Sequence, residues 1–224
     1  MDTAISKAHV FQSSIGRKVF VAVSGLFFLV FLIGHLSGNL LLLKNDGGVA
    51  FNAYAEFMAT TPIIWASEVF FFSIFIIHIF YALALQVKNN SARPVKYKVV
   101  KAAPEVTFFS RFMTYSGIIM LIFLVLHLYT FFLKHKILHM YPDQTLYDAV
   151  VLAFRQPAYT VFYVVCMVLL AFHLAHGFQS AFQTLGWTVN KRLHNRLQAI
   201  GYVVAVVIAG GFATVPLYIF FMNL

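Results

Sequence analysis

Five apolar segments, separated by polar and charged stretches, account for most of the chain. They cover residues 19–43, 65–87, 112–133, 158–182 and 197–222. Each contains about 20 to 26 residues, which is enough for an α-helix to cross a hydrocarbon core of about 30 Å. The pattern predicts an all-α integral membrane bundle of five transmembrane helices, called spans 1 to 5, which form one domain over residues 1–224.

Local sequence indicates where some of the helices begin. Ser13-Ser14 precedes span 1 and suits a helix N-terminus, and Pro157 suits the first turn of span 4. An apolar pattern between spans 3 and 4 predicts a short interfacial helix at residues 146–154. Between spans 1 and 2, Gly47-Gly48 and Pro62 predict turns.

Composition agrees with a membrane location and narrows the functional classes. Hydrophobic residues make up 61% of the 224 residues and charged residues 10%, against about 25% charged residues in soluble domains. The polar segments are too short to hold a soluble domain, so soluble catalytic chemistry must come from a partner. The single cysteine, Cys166, lies in an apolar run and cannot form a disulfide or a Cys-x-x-Cys site within this chain.

The formal charge of +9 indicates topology and not nucleic-acid binding. The N-terminal segment and the loops between spans 2 and 3 and between spans 4 and 5 hold about twelve of the sixteen Lys and Arg residues. By the positive-inside rule, the N-terminus is expected inside and the C-terminus outside. The first apolar run is longer than the core of a cleavable signal peptide, and no A-x-A-like site follows it.

Spans 1 to 4 each carry a histidine deep inside the apolar segment: His35, His78, His127 and His173. An ionisable side chain at membrane depth is costly and by default indicates a functional site. Successive spans run in opposite directions, so a rise of 1.5 Å per residue puts His35 and His127 in the outer half and the other two in the inner half. The two levels differ by roughly 9–10 Å.

Two histidine pairs at two levels are what two stacked, bis-histidine haems need. Gly34 and Gly38 flank His35 on one helix face and would leave room for a flat macrocycle, although close helix packing explains the same small residues. His176 is displaced by about 60° from His173 around the helix and cannot ligate the same iron. His176 is therefore expected to lie near a haem propionate or a quinone. The alternative is a simple packing role. For each single histidine, an interhelical hydrogen bond is the alternative.

Four fragments, in order on spans 1 to 4, carry a family resemblance: IGHLSGN, HIFYAL, LHLYTF and FHLAHGFQSAFQTLGW. They resemble the cytochrome b membrane-anchor subunit of succinate:quinone oxidoreductases, the succinate dehydrogenase and fumarate reductase family, in its single-anchor, two-haem form. The resemblance implies two haem b groups. His78 and His173 would ligate the inner, proximal iron, and His35 and His127 the outer, distal iron.

The resemblance also implies partners and a place of action. A flavoprotein subunit interconverts succinate and fumarate, and an iron–sulfur subunit docks on the inner face of the bacterial cytoplasmic membrane. Basic residues at that face are candidates for binding haem propionates: Arg17, Lys18, Arg111 and Lys191. Attraction to anionic lipid and insertion topology explain the same charges.

In this family the anchor passes electrons between the iron–sulfur subunit and a membrane quinone, here expected to be menaquinone near the outer side. Quinone reduction needs protons, so a carboxylate at the edge of the site is expected. Glu68, near the outer end of span 2, is the first candidate and Glu56 the second. The alternative for both is a simple charge at the outer interface.

Some fumarate reductases of the family carry a glutamate on the fourth helix just before the haem histidine, implicated in transmembrane proton movement. Here Ala171 and Phe172 precede His173, which favours a succinate dehydrogenase.

The anchor of a hydrogenase or formate dehydrogenase is a second hypothesis for the function, and a haem-free structural anchor is a third. A transporter whose histidines relay protons or bind a metal is a fourth, but spans 3 to 5 lack the Asp or Glu expected of it.

Overall fold

The structure is a computed structural model that describes residues 13–91, 108–140 and 143–222, of which 108–111 are described by their backbone alone. Helix α1 (Ser14–Asn39) continues as a 3₁₀-helix over Leu40–Leu43, and helix α4 (Phe108–His127) continues as a π-helix over Leu128–Ile137. The other helices are α2 (Val49–Thr60), α3 (Pro62–Ser91), α5 (Leu146–Phe154), α6 (Pro157–Thr184) and α7 (Lys191–Met222).

Among the described residues, five helical segments are long and apolar enough to cross a membrane. They are Ser14–Leu43, Pro62–Ser91, Phe112–Ile137, Pro157–Thr184 and Lys191–Met222. Each one contains the apolar segment predicted for it, so the all-α membrane bundle of five spans is confirmed. Large apolar side chains such as Val30, Ile76 and Val206 are exposed on the outside of the bundle. Lipid chains are as apolar as these side chains, so such exposure carries no penalty in a bilayer.

Local side chains explain where several helices begin. Ser13 caps α1 by accepting a hydrogen bond from the Gly16 N–H at 3.0 Å. The short helix α5 covers the range predicted for it, and Thr145 and Asp148 form a reciprocal capping box at its start. The hydrogen bonds from Thr145 lower the pKa of the Asp148 carboxyl. Pro157 occupies the first turn of α6, as predicted.

The segment between spans 1 and 2 differs from the sequence prediction, because only its first residues form a turn. Gly47 and Gly48 adopt positive φ angles of 65° and 86°. The Asp46 carboxylate accepts hydrogen bonds from the N–H groups of Gly48 and Ala50, both at 3.0 Å. A carboxylate in this position satisfies free N–H groups at a helix start. The helix α2 follows directly and lies against α1, α3 and α5.

Gly48→Ala is expected to destabilise the fold by more than Gly47→Ala does. Both glycines have a positive φ, but a Cβ on Gly48 would lie 2.3 Å from Cγ of Tyr147 in α5, whereas nothing lies within 4 Å of a Cβ on Gly47. Backbone strain at such a position costs about 1–3 kcal/mol, and the ring clash adds to the cost at Gly48 only. Thermal unfolding of the detergent-solubilised variants measures the difference, and equal losses would contradict the packing of Tyr147 on Gly48.

Helix α6 lies at the centre of the bundle, where it packs against α7, α4 and α1, while α3 packs against α1. Near the ends of the spans that α2 and α5 cover, one hydrophobic cluster joins the short helices to the long ones; its buried members are Leu42, Phe51, Val150, Val151, Phe154, Tyr163, Val215 and Ile219. This arrangement brings the histidine-bearing faces of α1, α3, α4 and α6 towards one another.

Candidate functional site

His35 of α1 and His127 at the end of α4 lie face to edge. Their ring centroids are 5.9 Å apart, and the ring planes are perpendicular. Two imidazole nitrogens, each about 2 Å from one metal ion, put the ring centroids roughly 6 Å apart. The pair therefore already has the ring spacing that a shared metal ion requires.

Different neighbours hold the two rings of this pair. His35 stacks on Phe31, with centroids 5.4 Å apart and an interplanar angle of 12°, and it also contacts Phe212 at 5.6 Å. His127 Nδ1 lies 3.2 Å from the hydroxyl of Tyr163, which in turn lies 3.1 Å from the hydroxyl of Tyr159. With Nδ1 engaged in this way, Nε2 is the nitrogen of His127 that suits a metal.

His78 of α3 and His173 of α6 form the second pair, and the two imidazoles interact electrostatically. His78 Nδ1 lies 2.6 Å from Oγ of Ser24 in α1. His173 Nδ1 lies 3.4 Å from Oγ of Ser116 in α4. Both serines are buried, with exposed fractions of 3% and 1%. The four sequence-predicted histidines are thus brought together as two pairs, each from two different spans.

The hydrogen-bond pattern fits metal ligation through Nε2. A ligating histidine normally donates its other N–H to a neighbouring acceptor, which sets the tautomer and the ring orientation. Three of the four histidines have a hydroxyl oxygen within hydrogen-bond distance of Nδ1. Within the described ranges, no group of three or more His, Cys, Asp or Glu forms a metal site by itself, so the candidate metal ligands come in pairs.

Two glycines lie against the second pair. A Cβ on Gly25 would lie 3.7 Å from Cε1 of His78, and a Cβ on Gly117 would lie 3.6 Å from Cε1 of His173. Larger side chains would crowd the imidazole rings at both places. Ser24, Ser116, Gly25 and Tyr163 were not among the site residues predicted from the sequence. The available signal was a Ser-Gly dipeptide in the first third of an apolar span, which occurs in both α1 and α4.

Gly38 has a different neighbour from the one expected. A Cβ at this position would lie 2.3 Å from Cε1 of Tyr54, which extends from α2. Gly38 therefore accommodates a tyrosine ring, in contrast to the expectation that it leaves room for a macrocycle. The reason is the unpredicted helix α2, which carries Tyr54 to this face of α1. Gly34 has no atom within 4 Å of a Cβ position, so space remains beside it.

Two of the expected cofactor-binding residues contain a buried nitrogen without a hydrogen-bond partner, namely His176 Nδ1 and Arg17 Nε. His176 interacts electrostatically with His173, and the Arg17 guanidinium lies over the Tyr81 ring, 5.7 Å from its centroid. Unpartnered buried polar atoms are uncommon and call for an explanation. An anionic oxygen acceptor near either nitrogen would supply the missing partner.

The other expected binding residues have less defined surroundings. Lys18 and Lys191 are exposed within the first five residues of α1 and α7. The side chain of Arg111 lies outside the described part of the chain. The structure therefore leaves Arg17 and His176 partly buried, each with one buried nitrogen, and the two lysines at the surface.

Glu68 forms an ion pair with Lys136. Lys136 Nζ lies 2.5 Å and 2.6 Å from the two carboxylate oxygens, and both side chains are about three-quarters buried, with exposed fractions of 28% and 22%. Phe72, one turn further along α3, contacts Phe132, with ring centroids 5.5 Å apart. These contacts join α3 to the π-helical end of α4. Glu56, the second candidate carboxylate, is exposed on α2.

Comparisons with known proteins agree with a membrane bundle. Residues 88–214 match the family described as the succinate dehydrogenase/fumarate reductase transmembrane subunit. The succinate dehydrogenase cytochrome b558 subunit of Bacillus subtilis (strain 168) is 30% identical over 166 residues, which cover 73% of this chain and 75% of that protein. No solved structure matches the chain significantly.

This chain belongs to the family of succinate dehydrogenase/fumarate reductase transmembrane subunits. The family predicted from the four sequence fragments is thereby confirmed. The chain is a multi-pass cytochrome b membrane subunit of this family, with five spans among its described residues.

Proposed function

We propose that this chain is the dihaem form of the anchor, a single membrane subunit that binds two haem b groups and passes electrons between an iron–sulfur subunit and a membrane quinone. One observation carries the proposal: two pairs of histidines from four different spans, with the His35 and His127 ring centroids 5.9 Å apart. The name of the Bacillus subtilis relative, a cytochrome b558 subunit, supports haem b as the cofactor.

Four imidazoles are the proposed haem ligands. His78 and His173 would hold the inner, proximal haem, and His35 and His127 would hold the outer, distal haem. Bound haem supplies a one-electron iron centre whose potential depends on its ligands and their hydrogen bonds. The chain itself supplies the ligands, holds their rings and excludes water from them. At the distal site the rings are held by Phe31, Phe212 and Tyr163 and its neighbours.

Haem propionates are the proposed partners of the basic residues near the inner face. Arg17 Nε and His176 Nδ1 are buried without a hydrogen-bond partner, and a propionate carboxylate accepts charge-assisted hydrogen bonds of the kind that Arg17 would donate. His176 is proposed as a neighbour of the propionate or of a quinone. Lys18, Arg111 and Lys191 complete the set by charge attraction at the same face.

The proposed topology follows from the basic segments, with the N-terminus inside and the C-terminus outside the bacterial cytoplasmic membrane. The inner face then meets the iron–sulfur subunit, which carries electrons from a flavoprotein that oxidises succinate or reduces fumarate. Ala171 and Phe172, where some fumarate reductases have a glutamate, favour succinate oxidation. Succinate chemistry itself lies outside this chain.

The proposed quinone is menaquinone, reduced near the outer side with protons passed by Glu68. Glu68 lies near the start of α3 and is held by Lys136, so its carboxylate is kept at a defined position at the predicted outer end of the bundle. A positioned carboxylate within reach of a quinone oxygen can transfer the proton that reduction requires. Glu56 is the second candidate.

A dithionite-reduced-minus-oxidised optical spectrum with a pyridine haemochrome assay, calibrated to protein concentration, tests the proposal. The expected result for the full-length purified chain is about two b-type, six-coordinate, low-spin haems per chain, because four imidazoles serve two irons. Copurification of a flavoprotein separates this function from that of a hydrogenase or formate dehydrogenase anchor. Folded protein without haem would contradict the proposal and leave the histidines as hydrogen-bonding groups.

A further inference from the structure

Spans 1 and 3 share a short pattern that the proposed function does not explain. In each, a Ser-Gly dipeptide precedes the deep histidine, with eleven residues from serine to histidine: Ser24-Gly25 and His35 in α1, and Ser116-Gly117 and His127 in α4. Three turns of α-helix contain about 10.8 residues. Serine and histidine therefore lie on the same face of each helix, about 16 Å apart along its axis.

Each of these two helices consequently contributes to both histidine pairs. The histidines of α1 and α4 meet each other in the first pair. Their serines contact the histidines of the second pair, Ser24 on His78 and Ser116 on His173. The glycine after each serine lies against Cε1 of the same imidazole, where a Cβ would be in ordinary van der Waals contact with the ring. Each Ser-Gly dipeptide thus contacts one imidazole ring.

The Ser24 hydroxyl lies within hydrogen-bond distance of two backbone carbonyls as well as of His78. Ser24 Oγ donates to the carbonyl oxygen of Phe20 at 2.6 Å, and the carbonyl oxygen of Val21 lies at 3.2 Å. A hydroxyl has one proton to donate and two lone pairs to accept with. With its proton on the Phe20 carbonyl, Ser24 accepts from His78 Nδ1, which lies 2.6 Å away, and Nδ1 then carries the proton. A neutral imidazole has a single N–H, so Nε2 of His78 is left with its lone pair.

The same count of donors and acceptors applies to Ser116. Its Oγ donates to the carbonyl oxygen of Met113 at 2.9 Å and lies 3.4 Å from His173 Nδ1, from which it can accept. In the pair of His35 and His127, the partner of His127 is not a serine. It is the phenol of Tyr163, which is hydrogen-bonded to the phenol of Tyr159. The serine arrangement is therefore specific to His78 and His173.

We propose that Ser24 and Ser116 are positioning residues that fix His78 and His173 in the Nδ1-protonated tautomer. In this tautomer the Nε2 atom of each imidazole keeps its lone pair and can bind iron. The proposal rests on the proposed haem function for its redox consequence. An acceptor on Nδ1–H raises the basicity of a ligating imidazole. A more basic imidazole stabilises the more highly charged, oxidised iron, so removal of the acceptor shifts that haem towards the reduced form.

Ser24→Ala and Ser116→Ala are the test variants, and Ser37→Ala is the matched control. Ser37 lies in α1 like Ser24 and also donates to the carbonyl four residues before it, at 2.9 Å from Ile33 O, but it is exposed and its hydroxyl bonds no histidine. Ser24→Thr keeps a hydroxyl that can bond the same carbonyl and serves as the rescue variant. Potentiometric titration of the haem spectra of the full-length protein is the measurement.

Ser24→Ala and Ser116→Ala should each raise the midpoint potential of the haem held by His78 and His173. The potential of the other haem should not change. The loss of one hydrogen bond corresponds to a shift of up to about tenfold in the oxidised-to-reduced equilibrium, which is about 59 mV for a one-electron couple. Ser24→Thr should restore the potential, and Ser37→Ala should not move it. No shift, equal shifts of both haems, or the same shift in Ser37→Ala would each overturn the proposal.

A second measurement separates this inference from the proposed function. Nitrogen-15 NMR of histidine-labelled protein distinguishes Nδ1–H from Nε2–H tautomers and can be recorded on the haem-free chain. One Nδ1–H histidine should change its tautomer signal in Ser24→Ala and keep it in Ser37→Ala. If the wild-type chain binds no haem but this change occurs, the proposed function fails and the tautomer inference stands. If haem binds and no tautomer signal changes, the inference fails alone.

Discussion

His35→Ala is expected to remove one of two haems and leave the other at full occupancy, and His127→Ala should remove the same one. The two side chains come from different helices, yet their ring centroids are 5.9 Å apart, and each is proposed as half of one ligand pair. Loss of one imidazole would take away a coordination bond that the surrounding Phe31, Phe212 and Phe123 cannot replace. His78→Ala and His173→Ala should remove the other haem.

The pyridine haemochrome assay gives the number of haems per chain, and the reduced spectrum identifies which haem remains. His139→Asn is a suitable control, because His139 is exposed after the end of span 3 and has a positive φ of 44°, which asparagine tolerates. It should retain both haems. If every one of the four alanine variants loses both haems while the protein stays folded, two separate sites are ruled out.

Glu68→Gln is expected to lower the rate of quinone reduction by roughly 100-fold or more while both haems are retained. Removal of a positioned proton-transfer group commonly costs about 10²- to 10⁴-fold. Glutamine has nearly the same shape but cannot carry the proton, so binding of the quinone should change less than turnover. The rate of electron transfer from reduced haem to a menaquinone analogue, measured in the assembled complex, tests this expectation.

Two further variants separate proton transfer from a structural ion pair. Glu56→Gln removes an exposed carboxylate on α2 and should leave the rate close to that of the wild type. Lys136→Met breaks the ion pair but keeps the Glu68 carboxylate, so part of the rate should remain. If Glu68→Gln and Lys136→Met lower thermal stability equally and neither changes the quinone rate, Glu68 is only an interface charge.

The long spans could be predicted because each depends on a property that the chain carries locally. A run of twenty or more apolar residues has no stable alternative to a helix in a bilayer, since every backbone polar group must be satisfied within the segment. The short helix α5 was also predicted, from the apolar pattern over residues 146–154, and Thr145 and Asp148 cap its start. Both predictions needed no knowledge of the tertiary fold.

Helix α2 escaped prediction because two signals compete in the same few residues. Gly47-Gly48 is a strong turn signal and does form a turn, but Asp46 bonds the N–H groups beyond it and starts a helix. The error at Gly38 follows from this one. Without α2 there was no side chain to occupy that face of α1, and Tyr54 is the residue that does so.

The sequence by itself determined the five-span architecture, the four deep histidines and the family. These follow from hydropathy and from residue identity at fixed positions, which need only short-range information. The tertiary structure alone decided that Ser24 contacts His78, that Tyr163 contacts His127 and that Lys136 pairs with Glu68. These partners lie 54, 36 and 68 residues apart in the chain. Which side chains meet across such separations depends on how the helices pack and rotate against one another, and no local pattern contains that information.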